Sequence, residues 1–219
     1  MNILIFDTET ISLNKPFCYN VGYCIYNTEL GLIIDSKEFV IEQVWHNLML
    51  FATAYYAEKR PYYISGMRGK RIRLEKFGKV CQQMKKDIEQ YEISYAYAFN
   101  SPFDDKVFSF NCDWFKCINP FDNVEILDIR GIAQKYIGFT LEYKAFCELY
   151  ELFTEKGNYS TTAESFGKFL FGSDLIEEHT ALSDAILETA ILIQCLELGG
   201  EIGKNYKAYK SVPRKIEED

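Results

Sequence analysis

The run Ile3-Leu4-Ile5-Phe6, stopping at Asp7-Thr8-Glu9, constrains this chain more than any other stretch. It is a short apolar run ending in charged residues and threonine, and it reads as a buried strand. The C-terminal end of such a strand opens on a polar site. In extended backbone, side chains two residues apart point to the same side, so Asp7 and Glu9 face one point in space. Two solvated acids at a strand end are the ordinary alternative, and an Asp-x-Glu pair alone does not choose between them.

The remaining sequence supplies a frame for that strand. Residues 17–26 and 31–40 read as two further strands, with turn character at Asn27-Thr28-Glu29-Leu30 between them. The spacing of Val44, Leu48, Phe51 and Tyr55 predicts a helix over 41–57. Pro61, Gly66 and Gly69 predict a loop in the first half of 59–79, whose second half enters a helix continuing to Gln90. Apolar runs at 93–99 and 124–129 predict the last two strands. Beyond them the pattern is helical over 141–153, 162–171 and 180–198, the last closed by Gly199-Gly200. The simplest account is one α/β domain over 1–200 followed by a polar tail over 201–219, loosely ordered from Lys204 onward.

Two more segments carry residues suited to chemistry. Asn100-Ser101-Pro102-Phe103-Asp104 follows the 93–99 strand. Proline fits the first turn of a helix, where its missing N–H is not needed, and this places Asp104 in that turn. An acid there also complements the helix dipole, a role that suits the neighbouring Asp105. The third segment is His179-Thr180-Ala181-Leu182-Ser183-Asp184, at the start of the last helix. On one helix a spacing of five turns side chains about 140° apart. His179 is therefore expected just before the helix and Asp184 inside it. His46 falls within a predicted amphipathic helix and reads as structural or surface.

Taken in order, these segments resemble the motifs of the DEDD exonucleases that carry a catalytic histidine. D-x-E appears as Asp7-Thr8-Glu9, N-x-x-F-D as Asn100 to Asp104, and H-x-A-x-x-D as His179 to Asp184. The match spans nearly the whole chain. One departure is Phe99, where the family often has histidine before the asparagine. The resemblance implies a ribonuclease H-like fold, an α/β mixed sheet of about five strands flanked by helices. It implies a two-metal 3′→5′ exonuclease that releases nucleoside 5′-monophosphates.

In that family pattern Asp7 bridges two divalent ions, Mg²⁺ or Mn²⁺. Glu9 and Asp184 hold the water-binding ion, and Asp104 holds the second. His179 is the general base. Thr10, Ile11, Asn100 and Phe103 meet the substrate, although Phe103 equally suits a core anchor for its helix. The ions have a physical rationale. Unit charges 4 Å apart repel by about 4 kcal/mol at an effective dielectric near 20, and hard oxygen-seeking cations relieve a carboxylate cluster.

The implied partner is a nucleic acid with a 3′ end, single-stranded DNA or RNA, with DNA favoured. A 3′→5′ exoribonuclease acting on short RNA or tRNA ends is the alternative. A non-catalytic binding module is a third reading, which retention of all five residues opposes. A net charge of −8 excludes a protein that coats nucleic acid by bulk electrostatics. Of the 24 basic residues, 8 lie in 59–79. That segment either tracks a strand backbone, through Arg68, Lys70, Arg71 and Arg73, or balances an acidic surface.

No apolar run is long enough for a transmembrane helix, and the acid at Asp7 does not suit a signal peptide. A cytoplasmic protein without a membrane partner is expected. Seven cysteines without a C-x-x-C pair read as reduced, mostly buried thiols. The closest two, Cys112 and Cys117, lack a nearby histidine for a zinc site.

Overall fold

The computed structural model describes residues 1–214, which form a mixed sheet of six strands in the order β4-β3-β2-β1-β5-β6. The strands are β1 (Asn2–Thr10), β2 (Cys18–Asn27), β3 (Leu32–Ile41), β4 (Ile72–Glu75), β5 (Tyr95–Ala98) and β6 (Glu125–Asp128). β1, β2 and β3 form an antiparallel meander, and the two outer pairings on the β1 side, β1·β5 and β5·β6, are parallel. The sixth strand, β4, corrects the expected count of about five. It lies inside the basic segment and pairs parallel with the end of β3. Four residues with Arg73 and Glu75 among them carry too little apolar pattern to show as a strand.

Nine α-helices accompany the sheet among the described residues. They are α1 (Glu42–Trp45), α2 (Leu48–Phe51), α3 (Arg60–Arg68), α4 (Phe77–Gln90), α5 (Ser101–Phe115), α6 (Ile129–Ala133), α7 (Leu141–Leu149), α8 (Ala163–Phe171) and α9 (Ala181–Glu197). The single helix expected over 41–57 is two short ones. Asn47 interrupts it, its side chain accepting from the Leu50 N–H at 3.1 Å. Asparagine competes for backbone donors in this way and favours caps over helix interiors. The loop expected before Lys70 is instead α3. Pro61 occupies its first turn, where proline costs nothing. Gly66 is required inside it because a Cβ would meet Ile72 Cδ1 at 2.3 Å.

The tail, expected to be loose from Lys204, packs on the body as far as Arg214. Tyr206 and Val212 are buried, and the Gln134 side-chain amide exchanges two 2.7 Å hydrogen bonds with the Tyr209 backbone. Residues 215–219 of that tail lie outside the described residues.

β1 is the centre of the core. Leu4 and Phe6 join one apolar cluster with α4 and α5, while Ile3 and Ile5 join a second with α6 and α9. Both faces of the sheet are therefore covered, which explains the continuous apolar run. The second face has a close approach built into it. Gly22 of β2 pairs with Asp7, and a Cβ at Gly22 would lie 2.1 Å from the backbone nitrogen of Leu182 and 2.3 Å from the Ala181 carbonyl carbon. No side chain fits there, so the first turn of α9 rests directly on the strand. Gly22→Ala is expected to cost about 1–3 kcal/mol, the range for overpacking a tight interior, and to push Asp184 away from Asp7. Urea denaturation measures the loss, and an unchanged midpoint would mean that α9 does not depend on this contact.

Candidate active site

Period-two alternation along β1 distributes its polar end. Asp7 and Glu9 share the face of Ile3 and Ile5, towards α9, and Thr8 shares the opposite face. Carboxylate oxygens of Asp7, Glu9 and Asp184 consequently lie within 4.8 Å of one another. Thr8 turns to α5, where its hydroxyl donates to Asp104 Oδ1 at 2.6 Å. Asp104 is buried in the first turn of α5 and its charge acts directly on Asp7.

Local sequence explains how α5 and α9 begin here. Asn100 adopts a left-handed conformation (φ 63°), which asparagine tolerates, and its N–H donates to Asp128 Oδ1 at 2.9 Å. The same oxygen accepts from the Arg130 N–H, so Asp128 ties the ends of β5 and β6 together. His179 also has positive φ (52°) and stands immediately before α9, as its spacing from Asp184 required. The Thr180 side chain makes no cap. Asn20 of β2 does so from across the sheet, accepting from the Ala181 N–H at 2.8 Å. Asn20 also accepts from the Tyr63 hydroxyl and donates to Phe39 O and Glu38.

The other expected site residues are placed unequally. Asn100 lines an open cleft of about 350 Å³ together with Asp7, Glu188, Arg130 and Lys210. Thr10 and Ile11 are buried where the β1–β2 register slips, with Ile11 in the apolar core. Phe103 is half-buried and packs on the same core.

Three residues at the site escaped the sequence reading. Glu188 is buried one turn after Asp184 and accepts from the Phe99 N–H at 3.2 Å. An acid four residues after Asp184 in an otherwise apolar helix was the available signal. Glu177 places a carboxylate oxygen within 4.8 Å of both His179 and Asp184. Tyr56 stacks on His179, with centroids 4.2 Å apart and planes 6° from parallel. Nothing in the sequence marks that pairing, because the two rings come from distant segments.

Burial sets the electrostatics. It is the largest cause of the raised pKa at every carboxyl group here. Glu9 is pushed up to about 8, with Asp184 and Glu177 adding to the effect. Asp184 rises to about 8, with Glu177 adding, and Asp104 and Glu177 each rise to about 7. Asp7 and Glu188 are raised strongly, each by burial and by its neighbouring acids. Among the described residues, no salt bridge reaches any of these groups. Carboxylate oxygens converging from three elements, with no salt-bridge partner among the described residues, fit hard divalent cations. His179 moves the other way, its pKa lowered chiefly by burial, so the imidazole is neutral at neutral pH and able to accept a proton.

The carboxyl groups titrate near pH 4 in an unfolded chain and higher in the fold. Between those values the folded protein binds more protons than the unfolded chain. The associated stability is full below about pH 4 and lost as pH rises towards 8. Metal-free protein is therefore expected to be less stable at pH 8 than at pH 5. Divalent cations should raise its thermal midpoint more at pH 8 than at pH 5, and Asp184→Asn should flatten the pH slope. A metal-free midpoint that is level from pH 5 to pH 8 would contradict this account.

No protein-family model and no curated protein sequence matches the chain. Solved structures do. The nuclease domain of 3′hExo, a DEDDh family member bound to rAMP, is similar with TM-score 0.60 at 13% identity, covering 96% of this chain and 97% of that one. A 3′-exonuclease in 3′-end specific recognition of the histone mRNA stem-loop is similar with TM-score 0.64 at 11% identity, covering 97% and 74%. The zinc-bound form of E. coli exonuclease I with single-stranded DNA gives TM-score 0.54 at 14% identity, covering 90% of this chain and 41% of that one. At these identities the likeness concerns architecture: this chain has the fold of the DEDDh 3′ exonucleases.

Proposed function

We propose that this protein is a metal-dependent 3′→5′ exonuclease acting on single-stranded nucleic acid. The observation that carries the reading is the convergence of Asp7, Glu9 and Asp184 within 4.8 Å, with Asp104 near enough to raise the pKa of Asp7 and a neutral His179 beside Asp184. Asp7, Glu9, Asp104 and Asp184 would hold two divalent ions, Mg²⁺ or Mn²⁺. Such ions supply Lewis-acid polarisation of the phosphoryl group and a lowered pKa for water.

The chain's own residues account for the rest. His179 takes the proton of the attacking water, and a pKa below its usual value keeps it in the accepting form at neutral pH. Tyr56 fixes the imidazole plane by stacking. The new P–O bond forms as the bond to the 3′ oxygen breaks, so the terminal residue leaves as a nucleoside 5′-monophosphate and the 3′ oxygen takes up a proton. Asn100 and Phe103 stand at the mouth of α5, and Thr10 and Ile11 at the end of β1, where a terminal sugar and base would be received. Arg130 and Lys210 give the adjoining cleft positive charge for the next phosphate.

DNA is the favoured substrate. RNA is the second reading, supported by two of the similar structures, which concern rAMP and an mRNA stem-loop. Incubation of 5′-labelled DNA and RNA strands of matched sequence with Mg²⁺, Mn²⁺ or EDTA tests both. A metal-dependent ladder shortening from the 3′ end is expected, and the faster strand identifies the substrate. Asp7→Asn should abolish the ladder while leaving the metal-free midpoint unchanged or higher. His179→Ala should slow it by about 10²–10⁴-fold, the usual range for a general base. Full activity in either variant would remove that residue from its role.

The exposed Arg68, Lys70 and Arg71 precede β4 and the exposed Arg73 belongs to it, and Arg71 and Arg73 lie over the Tyr62 and Phe39 rings. Replacing the four with alanine should weaken binding of long strands and reduce its salt slope. An unchanged slope would leave them a surface role.

A further inference from the structure

Three of the seven cysteines meet in space, which their spacing along the chain does not suggest. Cys81 comes from α4, Cys112 from the last turns of α5 and Cys117 from just beyond that helix. Their sulfurs lie within 4.8 Å of one another, and all are free thiols. The trio belongs to the α4–α5 side of the sheet, whereas Asp184 and Glu188 project from α9 on the other side.

Backbone geometry holds the three together. α5 ends with Lys116 in the left-handed region (φ 53°), and the Cys117 N–H donates to the Cys112 carbonyl at 3.0 Å. In this form of helix ending, the side chain just past the end meets one in the final turn. Cys112 and Cys117 are thus paired by the main chain. Gly78 brings in the third member. A Cβ there would lie 3.2 Å from Cys117 Cβ, so the absent side chain lets the end of α5 settle against α4 beside Cys81. Cys81 is fully buried, Cys112 nearly so and Cys117 partly exposed. The cluster is closed on its inner side and reachable from outside at Cys117.

We propose that Cys81, Cys112 and Cys117 form a binding site for one thiophilic metal ion of the zinc class, with a fourth position open to solvent beside Cys117. Zinc–thiolate bonds of about 2.3 Å set a sulfur–sulfur edge near 3.8 Å in a tetrahedron. The trio needs to contract by no more than about 1 Å to reach it, and Cys117, just past the end of α5, is its partly exposed member. Each ligating thiol releases its proton to solvent, so binding tightens as pH rises. Cys112 gives up the hydrogen bond that its S–H makes to Ile118 O at 3.3 Å. Thiolates select soft ions and carboxylates hard ones, so this site and the one at Asp7 discriminate between metals by ligand chemistry alone.

The test is titration of the reduced, metal-stripped full chain with Cd²⁺, reading the thiolate-to-cadmium charge-transfer band in the ultraviolet. The band should saturate at one equivalent. Cys81→Ser, Cys112→Ser and Cys117→Ser should each abolish or strongly weaken it. Cys147→Ser and Cys195→Ser, which lie in the other apolar cluster, should leave it unchanged. Asp7→Asn should also leave it unchanged, which separates this site from the proposed nuclease centre. Cys117→Ser is the decisive variant, because its partly exposed position makes a folding defect least expected, and circular dichroism verifies the fold. Absence of the band in the parent protein, or its survival in folded Cys117→Ser, would overturn the proposal.

Discussion

The first turn of α9 lies directly on the backbone of β2, and the candidate active site depends on that seat. Two residues make it. Gly22 offers no side chain, so the helix approaches to a distance that a Cβ would forbid. Asn20, two residues earlier, supplies the cap that Thr180 does not and satisfies the Ala181 N–H from a different element. A helix start normally finds such a partner within its own few residues. Taking it from the sheet fixes the helix to the strand opposite Glu9 and leaves His179 with positive φ at the junction. Asp184 reaches Asp7 and Glu9 because of this seat, and Glu188 follows one turn further along.

What the seat assembles is electrostatically unfavourable by itself. Asp7, Glu9, Asp104, Asp184, Glu177 and Glu188 are held together with no salt bridge to any of them among the described residues, and burial pushes their pKa values upward. Such a cluster is stable only because the surrounding core fixes it, through Phe6, Phe108 and the apolar faces of α4, α5 and α9. A preorganised site that costs stability is the common trade between folding and function. The same core positions the three thiols on the sheet's other side, so one scaffold presents oxygen and sulfur donor sets that do not compete.

Much of this was legible in the chain. The apolar run before Asp7 marks a buried strand, and period-two alternation places Asp7 and Glu9 on one face. Pro102 marked the start of α5, and the five-residue gap from His179 to Asp184 located the helix boundary between them. These are local signals, carried by residues within a few positions of each other, and local backbone geometry enforces them. Where local signals conflicted the reading failed: Asn47 split a helix that the apolar spacing favoured, and Pro61 and Gly66 belong to a helix rather than a loop.

The tertiary structure alone decided which distant residues meet. Tyr56 against His179, Asn20 beneath α9, the wrapped segment from Tyr206 to Val212, and Cys81 beside Cys112 and Cys117 each join segments far apart in the chain. No sequence periodicity encodes them, because they follow from how closely two packed elements approach, and that distance is set at residues such as Gly22 and Gly78, whose lack of a side chain gains its importance only from the partner. The sequence by itself determined the strand, the two helix starts and the order of the acidic motifs. The fold determined that they converge, since convergence is a property of packing.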